Sequence, residues 1–286
     1  MSSINTNTAA MTALQTLQQT NSMMEQTQTR ISTGKRVNTA ADNAAYWSIA
    51  KTMSSDNNAL STVKDALGLG AAKLDVAYTA LESVTDIVGQ IKDKLVAARE
   101  PGVDRATVQA DVDELQNQLL SMVNSASFSG ENWLSADDTD NKTIVSSFVR
   151  NGDGTATMGT IAIDRTDMQL LNSDGSSGSL ATVFAIDVSA ADDAAVEAAI
   201  DTAIGSEESL IATAGDVGSA RARVNLQNDF VSNLMDAIDR GVGQLVDADM
   251  TEESSKLKAL QVQQQLGIQS LSIANSNAQN ILSLFR

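Results

Sequence analysis

At 286 residues, with a formal net charge of −17 and neither His nor Cys, the chain excludes several kinds of chemistry at the outset. Disulfides, thiol nucleophiles, imidazole acid–base catalysis and the common zinc sites are absent, and the acidity argues against nucleic acid or an anionic membrane as partner. Aromatics are 3% of the residues and Pro101 is the only proline, so long helices packed through thin seams are expected rather than one deep core.

The chain opens without charge. The first ionisable side chain is Glu25, and none occurs between Ala259 and Phe285. Residues 1–14 have no basic start followed by a continuous apolar run, so no secretory signal is expected there and export would take another route. In the first segment Ala10, Leu14, Leu17, Asn21, Met24, Gln28 and Ile31 alternate steps of four and three. This is a heptad seam whose amides can fix register at some cost in stability. Residues 31–50 read as a connector, with Gly34 breaking the helix and Tyr46 and Trp47 adjacent.

From Leu60 a longer seam runs through Val63, Leu67, Gly70, Leu74, Ala77, Leu81, Val84, Val88, Ile91 and Leu95 to Ala98, a helix of roughly 60 Å at about 1.5 Å per residue. Glu100-Pro101-Gly102 ends it, and Asp104 is placed to cap a second helix carrying Val108, Val112, Leu115, Leu119, Met122 and Ala126. From 129 to 179 Gly, Asp, Ser and Thr become frequent. Residues 143–150 and 155–164 are predicted strands joined by Asn151-Gly152-Asp153-Gly154, and 183–188 a third strand. Helix returns over 192–204, and a third long helix reads Val217, Ala220, Val224, Gln227, Val231, Leu234, Ile238, Gly241, Leu245, Ala248.

The last segment mirrors the first: Leu257, Leu260, Gln264, Gly267, Leu271, Ala274, Ala278, Ile281 and Phe285 share the heptad spacing, with Val262, Leu266, Ile273 and Leu282 on a second row. Its Gln and Asn residues make membrane insertion costly. Neutral ends of an acidic chain point to burial against copies of themselves. A seam this thin does not offset the ordering entropy of some 30 residues, so residues 1–30 and 257–286 are expected to lack fixed structure in the free subunit and to fold on polymerisation.

Sharper readings fail on spacing. Gly34-Lys35-Arg36 lacks the first glycine and the Ser or Thr of a phosphate loop. The 151–154 turn has no closing Glu for calcium, and adjacent acids such as Asp192-Asp193 do not face each other on a helix. The Asn141-Lys142-Thr143 sequon is read as a chance match in a Thr-rich loop. No catalytic, metal-binding or cofactor-binding residues are expected, and the protein is not read as an enzyme.

The segment Arg30-Ile31-Ser32-Thr33-Gly34-Lys35-Arg36-Val37-Asn38, with Ala40-Ala41-Asp42-Asn43 after it, resembles the N-terminal signature of bacterial flagellins, as does Ser3-Ile4-Asn5-Thr6-Asn7. Val246-Asp247-Ala248-Asp249-Met250-Thr251 resembles the Asp-Ala-Asp signature of that family. The end Gln279-Asn280-Ile281-Leu282-Ser283-Leu284-Phe285-Arg286 is similar to its C-terminus, with Phe285 where Leu is usual. The resemblance implies a mainly α fold: a long antiparallel helical rod, coiled-coil terminal helices and a small β-containing outer domain. The expected division is 1–35 with 255–286 for assembly, 36–134 with 207–254 for the rod, and 135–206 for the outer domain. Ile4, Leu14, Leu17, Met24, Ile31, Leu260, Leu271, Ile281, Leu284 and Phe285 would form the assembly interface. Arg30, Ser32, Thr33, Gly34, Asn38, Asp42, Asp247 and Asp249 carry the signature.

By the same resemblance the chain is a secreted subunit of the extracellular flagellar filament. Its partners would be copies of itself, hook-associated junction and cap proteins, an export chaperone and the flagellar secretion apparatus. Ile91 and Ala98 replace the Arg and Gln that Toll-like-receptor-active flagellins carry, which argues against receptor recognition, although Leu95 fits. The alternatives are a hook–filament junction protein and a host-directed adhesin or receptor ligand.

Overall fold

The computed structural model describes residues 7–137, 141–165 and 168–284, with side chains as far as Ser276. In chain order the elements are α1 (Thr8–Thr33), α2 (Ala44–Ala98), α3 (Arg105–Ser125), β1 (Ser127–Phe128), β2 (Glu131–Asn132), β3 (Lys142–Arg150), β4 (Ala156–Ile163), α4 (Ala181–Phe184), α5 (Asp193–Val246) and α6 (Met250–Leu284). Contacts divide the chain into two compact units, Met1–Asn57 with Asp236–Arg286, and Asn58–Met235. Residues 135–206, set apart as an outer domain by the sequence, fall within the second unit.

In that unit the α2 seam is laid out as its spacing predicts. All twelve positions from Leu60 to Ala98 are buried, and eight of them, from Leu67 to Ala98, are fully enclosed. The helix starts earlier than expected, at Ala44, where Asn43 Oδ1 accepts from the Tyr46 amide at 3.1 Å. Its 55 residues make it about 80 Å long. Asp104 caps α3 as predicted, accepting from the Ala106 amide at 3.1 Å. Helix α5 runs antiparallel to α2: Lys64 Nζ donates to Ser232 Oγ at 3.2 Å and Lys92 pairs with Glu207 at 2.5 Å.

The sequence split α5 in two, and the structure does not. Val196, Ala203, Leu210, Val217, Val224 and Val231 are buried at a strict seven-residue interval, the period of a supercoiled seam. That repeat carries the helix through Gly205, Gly215 and Gly218, each of which costs up to about 1 kcal/mol relative to Ala. The companion row escaped notice because it begins with polar residues, the buried Ser206 and Thr213.

The two predicted strands form one antiparallel hairpin, Lys142 opposite Ile163 and Arg150 opposite Ala156, with an irregularity between Val145 and Ser147. Two contacts seat it on the helices. Ile144 packs where a Cβ on Gly70 would sit, 2.6 Å away, so only glycine admits it. Gln227 Nε2 donates to the Ser146 carbonyl at 2.9 Å. A smaller hairpin, β1 with β2, turns through Ser129 (φ 53°) and Gly130 (φ 83°). Two successive left-handed residues are what a tight two-residue hairpin requires.

Residues 183–188 are a correction: they hold no strand, and Val183 lies in the short helix α4. Two buried glutamines of α3 take the place of a strand partner. Gln109 Oε1 accepts from the Val188 amide at 2.7 Å and its Nε2 donates to the Ile186 carbonyl at 3.2 Å, while Gln116 Nε2 donates to the Val183 carbonyl at 3.0 Å. With its backbone groups satisfied by side chains, the segment needs no neighbouring strand. The preceding stretch is held by Arg165, fully buried, which donates to the carbonyls of Trp133 (3.2 Å) and Ser135 (2.9 Å).

Candidate assembly site at the paired chain ends

In the first unit α1 and α6 lie against each other antiparallel. Asn7 Nδ2 donates to the Ala274 carbonyl at 3.0 Å, Leu17 packs on Gly267, Gln264 Nε2 donates to Asn21 Oδ1 at 2.9 Å, and Arg30 pairs with Glu253 at 3.0 Å. One partner's number falls as the other's rises. From Thr8 in α1 and as far as Leu284 in α6 the described residues are helical, whereas the thin seams alone predict no fixed structure in a free subunit. Amide and ion-pair contacts add what the apolar positions lack.

The seam differs from the apolar alternation in one respect. Leu17, Met24 and Ile31 line it, joined by Ala13 and by the buried Thr20 and Thr27, whereas Leu14 and Gln28 are exposed. Threonine was invisible to a search for apolar residues. In a helix, however, its hydroxyl can bond its own backbone and leave the methyl to pack, as Thr20 Oγ1 does with the Thr16 carbonyl at 2.9 Å. On α6, Leu260 is buried and Leu257, Gln264, Gly267, Leu271 and Ala274 are half-buried. Ile4 and Phe285 lie outside the described residues, as do the side chains of Ile281 and Leu284.

An apolar row is left over. Val262, Leu266 and Ile273 on α6 are each more than half exposed, and so is Met11 on α1, with Leu14 close behind. The contacts among the described residues do not cover them.

The signature residues form a clasp where α1 ends and α6 begins. Gly34 stops α1 in the left-handed region (φ 69°). The reversed chain then meets the end of α5: the amides of Arg36 and Val37 both donate to the Val246 carbonyl (2.7 and 3.2 Å), the Ala248 amide donates to the Gly34 carbonyl (2.9 Å), and Lys35 forms a β-bridge with Asp247. Val37, Ala50 and Val246 make a small core flanked by Trp47, Val242 and Leu245. Trp47 thus packs within its own connector, and Tyr46 stays exposed. Thr33 Oγ1 bonds the Thr29 carbonyl at 2.8 Å and accepts from the Lys35 amide at 3.3 Å, while Ser32 remains exposed.

Two aspartates finish the clasp. Asp42 Oδ2 accepts from the amides of Thr39 (2.9 Å) and Asn38 (3.0 Å), and Asp249 caps α6 by accepting from the amides of Thr251 (2.8 Å) and Glu252 (3.3 Å). Both carboxyls sit below the ordinary aspartate range. For Asp42 the Thr39 amide is the main cause, followed by that of Asn38; for Asp249 it is the Thr251 hydroxyl, followed by the Thr251 and Glu252 amides. A depressed native pKa contributes stability above the unfolded value, near 3.9, and that contribution is lost as pH falls through the native value. Asp249→Asn is therefore expected to unfold at lower temperature than the parent at pH 7, with the gap closing below about pH 4. Melting curves across pH 2–7 check this, and a gap independent of pH would reject it.

Residues 4–139 match the family described as the bacterial flagellin N-terminal helical region, and residues 198–285 match the bacterial flagellin C-terminal helical region. The chain belongs to the bacterial flagellin family. Flagellin C of Rhizobium meliloti (strain 1021) is 51% identical with both chains covered in full. Flagellin A of the same strain is 40% identical over 394 aligned positions, and the flagellin of Brucella melitensis biotype 1 is 44% identical, again with full coverage of both chains. Among solved structures, one described as a flagellar hook-associated protein of Vibrio parahaemolyticus superposes with a TM-score of 0.56 at 12% identity, covering 72% of this chain and all of that one. At that identity it supports the mainly helical fold alone. As a flagellin, the chain is a structural subunit of the extracellular flagellar filament.

The three α2 positions compared with receptor-active flagellins are all fully buried in the helical seam: Ile91, Leu95 and Ala98. None of them presents a side chain to solvent in this chain. Any reading of this stretch by a partner would fall on exposed neighbours such as Gln90, Asp93, Lys94 and Val96.

Proposed function

We propose that this flagellin polymerises through the α1–α6 pair, with the uncovered row of Leu14, Val262, Leu266 and Ile273 packing against neighbouring copies. The observation that carries the reading is an apolar row left exposed on the stretches of α1 and α6 that hold no charge, before Glu25 and after Lys258. A patch of this kind on a soluble chain marks an interaction surface, and neutral ends let many copies pack without burying like charges. Ile4, Leu17, Met24, Ile31, Leu260, Leu271, Ile281, Leu284 and Phe285 belong to the same interface in this proposal. The division into an assembly segment (1–35 with 255–286), a helical rod (36–134 with 207–254) and an outer part (135–206) describes how the filament would be layered.

The subunit is exported by the flagellar secretion apparatus with a chaperone on the C-terminal segment, and adjoins hook-associated junction and cap proteins at the filament's ends. Resemblance to flagellins supports these partners, and the buried α2 positions support the absence of Toll-like receptor recognition. Deletion of residues 257–286 tests the central claim. The truncated subunit should keep the helical second unit by circular dichroism yet give no filaments by electron microscopy after seeding. Ordinary filaments from it would overturn the proposal.

A further inference from the structure

A helical filament of identical copies needs a head-to-tail contact, in which one surface of the subunit meets a different surface of the next. The α1–α6 row supplies contacts for the chain ends only. The second unit carries two further exposed features on its surface.

The first is a protrusion. Leu226 and Phe230 lie four residues apart on α5, hence on one face, and are 70% and 58% exposed. Phe230 is one of five phenylalanines in the chain. A large aromatic left in water by so aromatic-poor a sequence does nothing for the subunit's own core. Between them, Gln227 is held by the Ser146 carbonyl, which anchors this part of α5 beside the β3–β4 hairpin.

The second is a groove of about 410 Å³ between α2 and α3, lined by Val76, Ala80, Met122 and Ala126 with Thr79 and Ser83 at its mouth. Its one acid, Asp75, is engaged by Arg221. Small side chains and a flexible methionine suit an aromatic ring, since methionine conforms to what it meets and its sulfur favours ring contact. Arg221 of α5 reaches Asp75 at the groove's edge, but at 3.6 residues per turn Leu226 and Phe230 lie roughly 140° and 180° around that helix from it, so the two features are distinct surfaces of one unit.

We infer that Leu226 and Phe230 of one subunit seat in the Val76–Ala80–Met122 groove of the next, forming a head-to-tail contact between second units in the filament. The occupant is a second copy because the chain is a filament subunit, and the inference rests on that reading. A buried aromatic in a pocket is the type of residue that dominates interface energy.

Photo-crosslinking tests it directly. Phe230→p-benzoylphenylalanine is introduced into the full chain, filaments are seeded from mixed heavy- and light-isotope subunits, and crosslinked peptides are mapped after irradiation. Links from position 230 to the peptide bearing Met122 or Val76 of a different copy are expected in filaments and absent from free subunits. Links to another part of the chain, to a different protein, or within one copy only would overturn the inference.

Two variants give an independent readout. The double change Leu226→Ala with Phe230→Ala, and Thr79→Arg at the exposed groove mouth, should each raise the critical concentration for assembly roughly tenfold or more. Melting temperature should not move, because the changed side chains are exposed. An unchanged critical concentration would also overturn it. Failure of the parent chain to form filaments at all would instead remove the filament reading, and this inference with it.

Discussion

Leu271→Glu is expected to abolish filament growth while leaving the subunit's helix content intact. Leu271 is half-buried on α6, on the face that carries Gln264, Gly267 and Ala274 toward α1. No charge occurs from Ala259 to Phe285, so a carboxylate here would have no cation within its own segment. In the free subunit the seam is thin enough for α6 to shift and keep the new group wet. Packed on all sides by other copies, it could not, and an unpaired buried charge costs several kcal/mol or more. Every subunit in the polymer would bear that cost. Sedimentation after seeding measures the loss of polymer, and circular dichroism the retained fold; normal filaments would refute burial of this face.

The opposite dissociation is expected at Leu81. This side chain is fully enclosed in the α2 seam, and Leu→Ala at such a site removes about 2–5 kcal/mol, the spread reflecting how far the cavity collapses. A unit of this size loses roughly 2–4 °C of melting temperature per kcal/mol, so a drop of about 5–15 °C is anticipated by calorimetry. Filaments should still assemble at temperatures below the new transition, because Leu81 touches no exposed surface. A loss under about 1 kcal/mol would mean that the seam is not packed as described.

The two variants separate what was legible in the sequence from what was not. The α2 seam was legible because it is written in one alphabet: Leu, Val, Ile and Ala at alternating three- and four-residue steps, with a single interruption at Gly70. The reason for that interruption was not legible, since it depends on Ile144, seventy-four residues away in sequence and in contact only once the hairpin folds down. The β3–β4 hairpin was foreseen from its turn, whereas 183–188 (Val-Phe-Ala-Ile-Asp-Val) reads as a strand because it is a short, mostly apolar run. Its partners proved to be Gln109 and Gln116. Glutamine on a helix gives no sign in sequence that it will serve as a strand's substitute.

At the paired ends, apolar spacing found Leu17, Met24 and Ile31 but missed the buried Thr20 and Thr27, the first with its hydroxyl satisfied by its own helix. The signature residues stood out by family resemblance alone. Some of their roles are local, a left-handed stop at Gly34 and two carboxylates gathering nearby amides. The clasp itself, in which the Gly34 and Val246 carbonyls accept from amides some two hundred residues away, is readable only with the segments side by side.

The clasp between Gly34 and Val246 brings the two ends of everything between them to one spot. Closing a long chain onto itself grows costlier only slowly with its length, about 0.6 kcal/mol per doubling. Material added between the fastened points therefore leaves the geometry of the terminal pair almost untouched. The alignment with flagellin A shows such latitude: it spans 394 positions against 286 residues here, so at least 394 − 286 = 108 of them have no counterpart in this chain. Fastened in this way, the pairing of the two terminal helices places little constraint on how long the chain between them is.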